Sequence, residues 1–263
     1  MSTGRIDIDV TGHIARLIIN NPDKRNSLHP DMYRQIMPAL DELAADRDVR
    51  VLLVRGEGPH FSAGSDIGSL DQLHKGELPV AAEEALAAFP KPVVAAIRGY
   101  CFGGGLQLVT ACDIRIAADT ALFSVPPAKL GIVYPLSATR RMISLIGPSA
   151  TKYLIFSGDQ INATRALHLG LVEELVSPDL LDARAEHIAQ TIAKRSQLTL
   201  QATKEIVDEM VDGTLTDELV DAWVSEAEEG RDLAEGMSAF AARRTPEFTW
   251  NNEHLPNRTM RHG

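Results

Sequence analysis

From Arg5 to Val10 polar and apolar residues alternate in period two, and after the Thr11-Gly12 turn a second short run extends from His13 to Asn20. Successive side chains of a strand point to opposite faces, so this pattern predicts a hairpin at the start of the fold. Farther on, Pro30 stands at a first helical position, where a missing N–H costs nothing, and Tyr33, Ile36, Leu40 and Leu43 recur at helical spacing. These predict one amphipathic helix. Val51 to Val54 is a short apolar run ended by Arg55-Gly56-Glu57-Gly58-Pro59, the pattern of a buried strand leaving into a loop.

A helical, partly acidic stretch reaches Ala88, and Pro92-Val93-Val94-Ala95-Ala96-Ile97 then reads as a second buried strand. It leads into Gly103-Gly104-Gly105, from which Leu106 to Cys112 continues as a helix; Asp113 to Ala118 and Phe123 to Val125 read as strands before a break at Pro126-Pro127. Strands alternating with helices argue for an α/β core. From Leu136 onward the pattern is mostly helical, with Val172 to Val176 the last strand, and the tail from Asn251 is polar and expected to be poorly ordered.

Composition narrows the function classes. The 263 residues, 44% hydrophobic and 24% charged, describe an ordinary globular chain of one large domain or one domain with an appendage. A formal net charge of −10 has the wrong sign for a nucleic-acid partner, whose phosphates call for a basic footprint. No apolar run approaches the ~20 residues that span a bilayer, so no membrane partner is expected. The N-terminus lacks the apolar core of a secretion signal, and the expected location is the cytoplasm. Cys101 and Cys112 form no CxxC and there is no HExxH, so neither a disulfide framework nor a metal site is expected. Gly56-Glu57-Gly58-Pro59 is a poor dinucleotide loop, because Pro59 removes an amide and no third glycine follows in place. His60 and His74 read as solvated loop residues.

Two glycine turns carry the chemistry. Phe61-Ser62-Ala63-Gly64-Ser65-Asp66-Ile67 and Tyr100-Cys101-Phe102-Gly103-Gly104-Gly105-Leu106-Gln107 lie about forty residues apart, and each is expected to follow a strand and open a helix. Small residues there let a ligand approach the backbone, and first-turn amides are unpaired donors at the positive end of a helix dipole. Two such amides converging on one point would make an oxyanion hole, which stabilises negative charge on a carbonyl oxygen. A turn that simply requires glycine for positive φ or close packing explains either segment alone.

In that order, the two segments resemble those of the crotonase (enoyl-CoA hydratase/isomerase) superfamily. The similarity extends over most of the chain: Asn21-Pro22 through Asn26-Ser27-Leu28, Lys91 through Gly105, Phe123 to Gly131, Ala163 to Val176, and Glu235-Gly236-Met237 through Phe248. The resemblance implies an α/β fold, a spiral of ββα units over residues 1–198 carrying the acyl-CoA site, with a helical C-terminal region over 199–263 that serves oligomerisation and closes that site. It implies a homotrimer or a hexamer built as a dimer of trimers. The ligand is an acyl thioester of coenzyme A, with no tightly bound cofactor, and the oxyanion amides are those of Ser65 and Gly104. Lys24, Arg25 and Arg243 are placed to neutralise the phosphates of coenzyme A, Arg244 less so. Ala63, Asp66 and Ile67 line its path, and Asp66 also suits a helix cap.

The chain departs from the family at the reacting centre. Hydratases of this family activate water with two glutamates, and those positions hold Gln107 and Pro127 here. Neither exchanges a proton as a carboxylate does. Three readings follow. One is isomerisation or hydration with a differently placed acid, such as Asp66, Glu83, Glu84 or Tyr134. A second is decarboxylation of a malonyl-type thioester, since Phe123 to Tyr134 is similar to the same stretch of methylmalonyl-CoA decarboxylases; those enzymes, however, carry a histidine at the position of Ser65. The third is a non-catalytic acyl-CoA-binding protein. Gln107 reads either as a donor to a substrate carboxylate or to water, or simply as a polar residue on a partly exposed helix face.

Overall fold

A computed structural model of the chain describes residues 4–251, the side chains of residues 74 and 75 excepted. The polar tail after Asn251 and the side chain of His74 therefore lie outside the described residues. The expected hairpin is present, with β1 (Arg5–Thr11) antiparallel to β2 (Ile14–Asn20). A 3-10 turn at Pro22–Lys24 leads to α1 (Pro30–Ala45), whose start is capped by His29 accepting the Asp31 N–H. Tyr33, Ile36, Leu40 and Leu43 are buried on it, as their spacing predicts. Next come β3 (Val51–Gly56), a 3-10 segment at Ile67–Gly76, α2 (Glu77–Ala87), β4 (Val93–Ile97), β5 (Tyr100–Phe102) and α3 (Gly104–Thr110). β6 (Ile114–Ala118), β7 (Leu122–Ser124), α4 (Pro127–Leu130), α5 (Leu136–Ser157), β8 (Ile161–Asn162), α6 (Ala163–Leu169) and β9 (Glu174–Val176) follow. Helices α7 (Leu181–Ala193), α8 (Gln197–Asp212), α9 (Asp217–Glu229) and α10 (Asp232–Ala242) end the described chain. None of these helices is long and apolar enough to cross a membrane.

The larger sheet runs β1-β2-β3-β4-β6-β9, parallel from β2 onward, and the smaller runs β5-β7-β8. Both faces of the larger sheet are covered, which is why its strands read as continuous apolar runs instead of alternating. Leu52, Val54, Val93, Ala95 and Ile97 face the main core with α1, α2 and α3. Val51, Leu53, Val94 and Ala96 face the opposite way, against Leu181, Ala185, Ala189 and Ala193 of α7.

A ββα unit repeats along the chain. β4 joins the larger sheet, β5 the smaller, and α3 follows; β6, β7 and α4 repeat the order. Each turn hydrogen-bonds to the next: Ser62 N–H donates to Tyr100 O at 2.8 Å, Phe102 N–H donates to Ser62 O at 3.0 Å, and Cys101 then pairs with Phe123. The chain is thus an α/β spiral with helices at its C-terminal end, as expected. Three local expectations are corrected. Pro127 opens the short helix α4 where only a break was foreseen, its fixed φ suiting a first helical position. Strands β5 and β8 were not foreseen, because two or three residues carry no usable period. The first glycine turn is separated from β3 by a loop and opens a 3-10 segment, not an α-helix.

The turn that positions the site is held by Asn26. It is wholly buried, and its φ of 56° lies in the left-handed region that asparagine tolerates better than most residues. Its Oδ1 accepts Asn21 N–H at 2.9 Å, and its Nδ2 donates to Glu57 O at 2.8 Å and His60 O at 2.7 Å. Its own carbonyl accepts the Ser62 hydroxyl at 2.7 Å. One side chain therefore ties the loop after β2 to the loop after β3. Asn26→Ala leaves one buried and two part-buried backbone groups without their partner and is expected to cost about 2 kcal/mol or more in urea unfolding, at ~1–3 kcal/mol for a fully buried orphan and less for the others; a loss below about 1 kcal/mol would contradict this assignment.

Candidate active site

The two glycine segments meet. Gly64 has φ 94°, and a Cβ built on it would lie 2.8 Å from Phe102 O and 3.3 Å from Gly104 N. A Cβ on Gly104 would lie 2.3 Å from the Tyr33 hydroxyl, 2.8 Å from Ser65 Oγ and 3.2 Å from Ser65 N. No side chain fits at either place, so glycine there is a condition of close approach as well as of backbone conformation. Leu28 N–H donates to Gly64 O at 2.8 Å and Asp66 N–H to Leu28 O at 2.9 Å, which fixes the strand-like segment through Ser65. Ser65 N–H points to the other side of that segment, and Gly104 is the first residue of α3, so its N–H has no intrahelical acceptor. Among the described residues neither amide has a hydrogen-bond acceptor. Two free N–H donors on touching segments can hold one anionic oxygen.

Gln107 lies one turn along α3 from Gly104 and is buried, at 3% exposure, which corrects its reading as a polar residue on a partly exposed face. Its Nε2 donates to Glu83 Oε2 at 2.8 Å. Glu83 sits on α2 with no exposed surface, and its carboxylate also accepts from Ser137 at 2.8 Å and from Arg141. Burial raises the Glu83 carboxyl above its ordinary value of 4.5, while Arg141, Gln107 and Ser137 oppose the rise. Arg141 forks on to Glu84, at 3.0 Å, so Glu84 is engaged in an ion pair. Tyr134 is partly buried against the main core and donates to Gly103 O at 3.3 Å, the carbonyl of the peptide unit whose N–H belongs to Gly104. Burial, followed by the nearby Glu83 charge, pushes the Tyr134 hydroxyl well above its ordinary value of 10. It therefore holds its proton at neutral pH, and is a donor rather than a base. Pro127 is buried and begins α4.

Around the opening, Lys24 Nζ pairs with Asp66 Oδ2 at 2.9 Å, and Asp66 Oδ1 accepts Gly68 N–H at 3.1 Å, so Asp66 does cap the segment that it begins. The Lys24 hydrogen bond holds the Asp66 carboxyl below its ordinary value, which suits an ion-pair partner better than a neutral-pH acid. The Arg25 guanidinium lies over the Tyr100 ring, 5.6 Å from its centroid, and Arg25 O accepts Ala63 N–H at 2.9 Å. Ile67 is 67% exposed. His60 is not a solvated loop residue: it stacks on Tyr100 at 4.4 Å, and its Nδ1 accepts the Tyr100 N–H at 3.1 Å. Burial, followed by the Arg25 charge, lowers its pKa and keeps the ring neutral.

The structure thus gathers Ser65, Gly104, Gln107 and Tyr134, with Lys24, Arg25, Ala63, Asp66 and Ile67 along the first glycine turn and the loop that pairs with it. Arg243 stands apart, exposed at the C-terminal end of α10, and Arg244 beside it is ion-paired with Glu235. Two members went unnoticed in the sequence. Tyr33 appears there only as an apolar position of α1, yet its hydroxyl meets Ser65 Oγ at 2.8 Å. Arg141 is one of an Arg-Arg pair in a helix; the signal for it was an acidic residue, Glu83, on the otherwise apolar side of α2.

Known proteins are similar to this chain over nearly its whole length. The family model described as enoyl-CoA hydratase/isomerase matches residues 9–251. A probable enoyl-CoA hydratase of Mycobacterium leprae is 34% identical over 260 residues, covering 95% of this chain and 99% of the relative. A crotonyl-CoA hydratase of Syntrophomonas wolfei is 33% identical, covering 94% and 99%. The crystal structure of an enoyl-CoA hydratase/isomerase family member superposes with a TM-score of 0.91 at 33% identity, covering 95% of this chain and 98% of that one.

The buried carboxylate leaves a measurable trace. A carboxyl whose folded pKa is raised favours folding most when protonated, so its contribution declines as pH rises from 4.5, the unfolded value, through the higher folded value. Unfolding free energy of the wild type relative to Glu83→Gln is expected to fall with rising pH across that window in denaturant titrations. A difference that is flat or rises with pH would contradict the direction.

Proposed function

The chain belongs to the enoyl-CoA hydratase/isomerase family, and from that premise we propose that it acts on acyl thioesters of coenzyme A, holding the thioester oxygen between the amides of Ser65 and Gly104 to stabilise an enolate. The observation that carries this reading is the pair of acceptor-free amides on touching glycine segments. An oxyanion donor is worth roughly 10²–10³ in rate, and most when water is excluded. Lys24, Arg25 and Arg243 are the cations assigned to the phosphates of coenzyme A; Ala63, Asp66 and Ile67 are assigned to its path. Coenzyme A arrives as part of the substrate, with no other cofactor bound.

Proton handling differs from a two-carboxylate hydratase. Gln107 and Pro127 supply no acid or base, and each such group is worth roughly 10²–10⁴ in rate. Glu83 has no exposed surface and accepts from Gln107, whereas Tyr134 keeps its proton and donates to the carbonyl of Gly103, next in sequence to Gly104. We assign Tyr134 as the donor that protonates the enolate; in an isomerase- or lyase-type reaction that enolate forms when a base other than residues 107 and 127 takes up the leaving proton or the proton of the attacking water. The position of Tyr134 also favours a second reading, decarboxylation of a malonyl-type thioester. Loss of carbon dioxide leaves its electron pair in the enolate, no base is needed, and a proton from Tyr134 completes the α-carbon.

The helical region over 199–263 is assigned to closing the site and to assembly as a trimer or a hexamer, in the cytoplasm. Supporting assembly, Leu233, Met237 and Phe240 recur at helical spacing on α10 and are 70%, 66% and 87% exposed.

Calorimetry with an acyl-CoA panel is expected to show binding, and crotonyl-CoA hydration to run at least about 10²-fold below a two-glutamate relative. Tyr134→Phe is expected to keep thioester binding and to lose roughly 10²-fold or more in turnover, including carbon dioxide release if malonyl-type thioesters are the substrates. Absence of binding across the panel would overturn the proposal; binding of several thioesters without alteration of any would favour a non-catalytic acyl-CoA-binding protein.

A further inference from the structure

Tyr33 and Ser65 form a hydroxyl pair that the backbone oxyanion hole does not require. Tyr33 has no exposed surface, and Ser65 Oγ, at 2.8 Å, is the hydrogen-bond partner of its hydroxyl among the described residues. A buried tyrosine hydroxyl left without an acceptor for its proton carries a desolvation cost, so in this pair the Tyr33 O–H donates and Ser65 Oγ accepts. The Ser65 proton is then left with no acceptor among the described residues. Ser65 itself is only half-buried, and its side chain and its free amide border Gly104 together with the Tyr33 hydroxyl: the point where a Cβ on Gly104 would stand is 2.3 Å from Tyr33 Oη, 2.8 Å from Ser65 Oγ and 3.2 Å from Ser65 N.

We infer that the Ser65 hydroxyl is a third donor to the substrate's thioester oxygen, acting beside the amides of Ser65 and Gly104, and that Tyr33 is the positioning residue that aims it. The inference rests on the oxyanion reading above and deepens it. Tyr33 sits on α1 directly after the loop that hydrogen-bonds to the Gly64–Asp66 segment, so its hydroxyl is fixed by the same contacts that fix the Ser65 backbone. By donating to Ser65 Oγ it polarises the serine O–H, and a chain of hydrogen bonds is stronger than its isolated links. Burial also raises the Tyr33 pKa and keeps the phenol protonated as a donor. No bond is made or broken at either residue; the contribution is hydrogen bonding that strengthens as negative charge gathers on the oxygen.

The test is the infrared carbonyl stretch of butyryl-CoA, isotopically labelled at the thioester carbon and bound to the wild type, to Ser65→Ala and to Tyr33→Phe. Ser65→Ala keeps the backbone amide and removes only the hydroxyl. The wild type is expected to lower the stretch relative to free thioester, Ser65→Ala to lower it distinctly less, and Tyr33→Phe to fall between. Butyryl-CoA affinity of Ser65→Ala, divided by that for coenzyme A alone, is expected to drop about 10-fold, or about 1.4 kcal/mol. If the wild type lowers the stretch and Ser65→Ala lowers it equally, this inference fails while the two-amide reading stands. If the wild type binds no thioester or leaves the stretch unchanged, the oxyanion reading fails and takes the third donor with it. Should Ser65→Ala not fold, Tyr33→Phe decides alone: a wild-type stretch there overturns the inference.

Discussion

The site depends on how closely two pieces of backbone approach each other. Ser65 and Gly104 sit on segments so near that a single added methyl group on Gly64 or Gly104 meets backbone or a rigid hydroxyl. Nothing about that proximity is local. It requires the Ser62 to Tyr100 and Phe102 hydrogen bonds that stack one turn of the spiral on the next, and it requires Asn26 to hold the preceding loop in a left-handed turn. Free N–H groups are costly inside a protein, and the two on these touching segments are what the proposed thioester oxygen would satisfy.

Electrostatics around the point divide by burial. Glu83 and Arg141 form a packed pair behind Gln107, extended to Glu84 and Ser137. A charge buried with its partner is hard to use for proton exchange, because losing either charge strands the other. Near the opening the groups are more exposed: Lys24 and Asp66 pair at 2.9 Å, and Lys24 keeps 62% of its side-chain surface open. The acidity of the chain, −10 overall, thus places no carboxylate at positions 107 and 127, which hold glutamine and proline.

Much of the architecture was legible in the residues. The period-two hairpin, the helix opened by Pro30, and the buried runs at Val51 and Val93 appear where their patterns place them, because each carries a period long enough to be read. The glycine segments marked a close approach for a similar reason, since glycine at a crowded crossing is a local record of a tertiary contact; the choice of the Ser65 and Gly104 amides came from the family resemblance. Tyr33 left no such record, and Glu83, read only as one candidate acid among several, left a faint one in its place on the apolar side of α2. A tyrosine at a core position looks apolar until its hydroxyl is seen against Ser65, and a glutamate on α2 looks solvated until α3 and α5 close over it. The short strands β5 and β8 exist by pairing with β7, which no local pattern announces.

The central claim is that one thioester oxygen sits between the amides of Ser65 and Gly104. A crystal structure with an unreactive acyl-CoA bound tests it most directly. The predicted result is a carbonyl oxygen within about 3 Å of both nitrogens. A thioester bound with its carbonyl turned away from the two amides, or seated elsewhere on the chain, would contradict it.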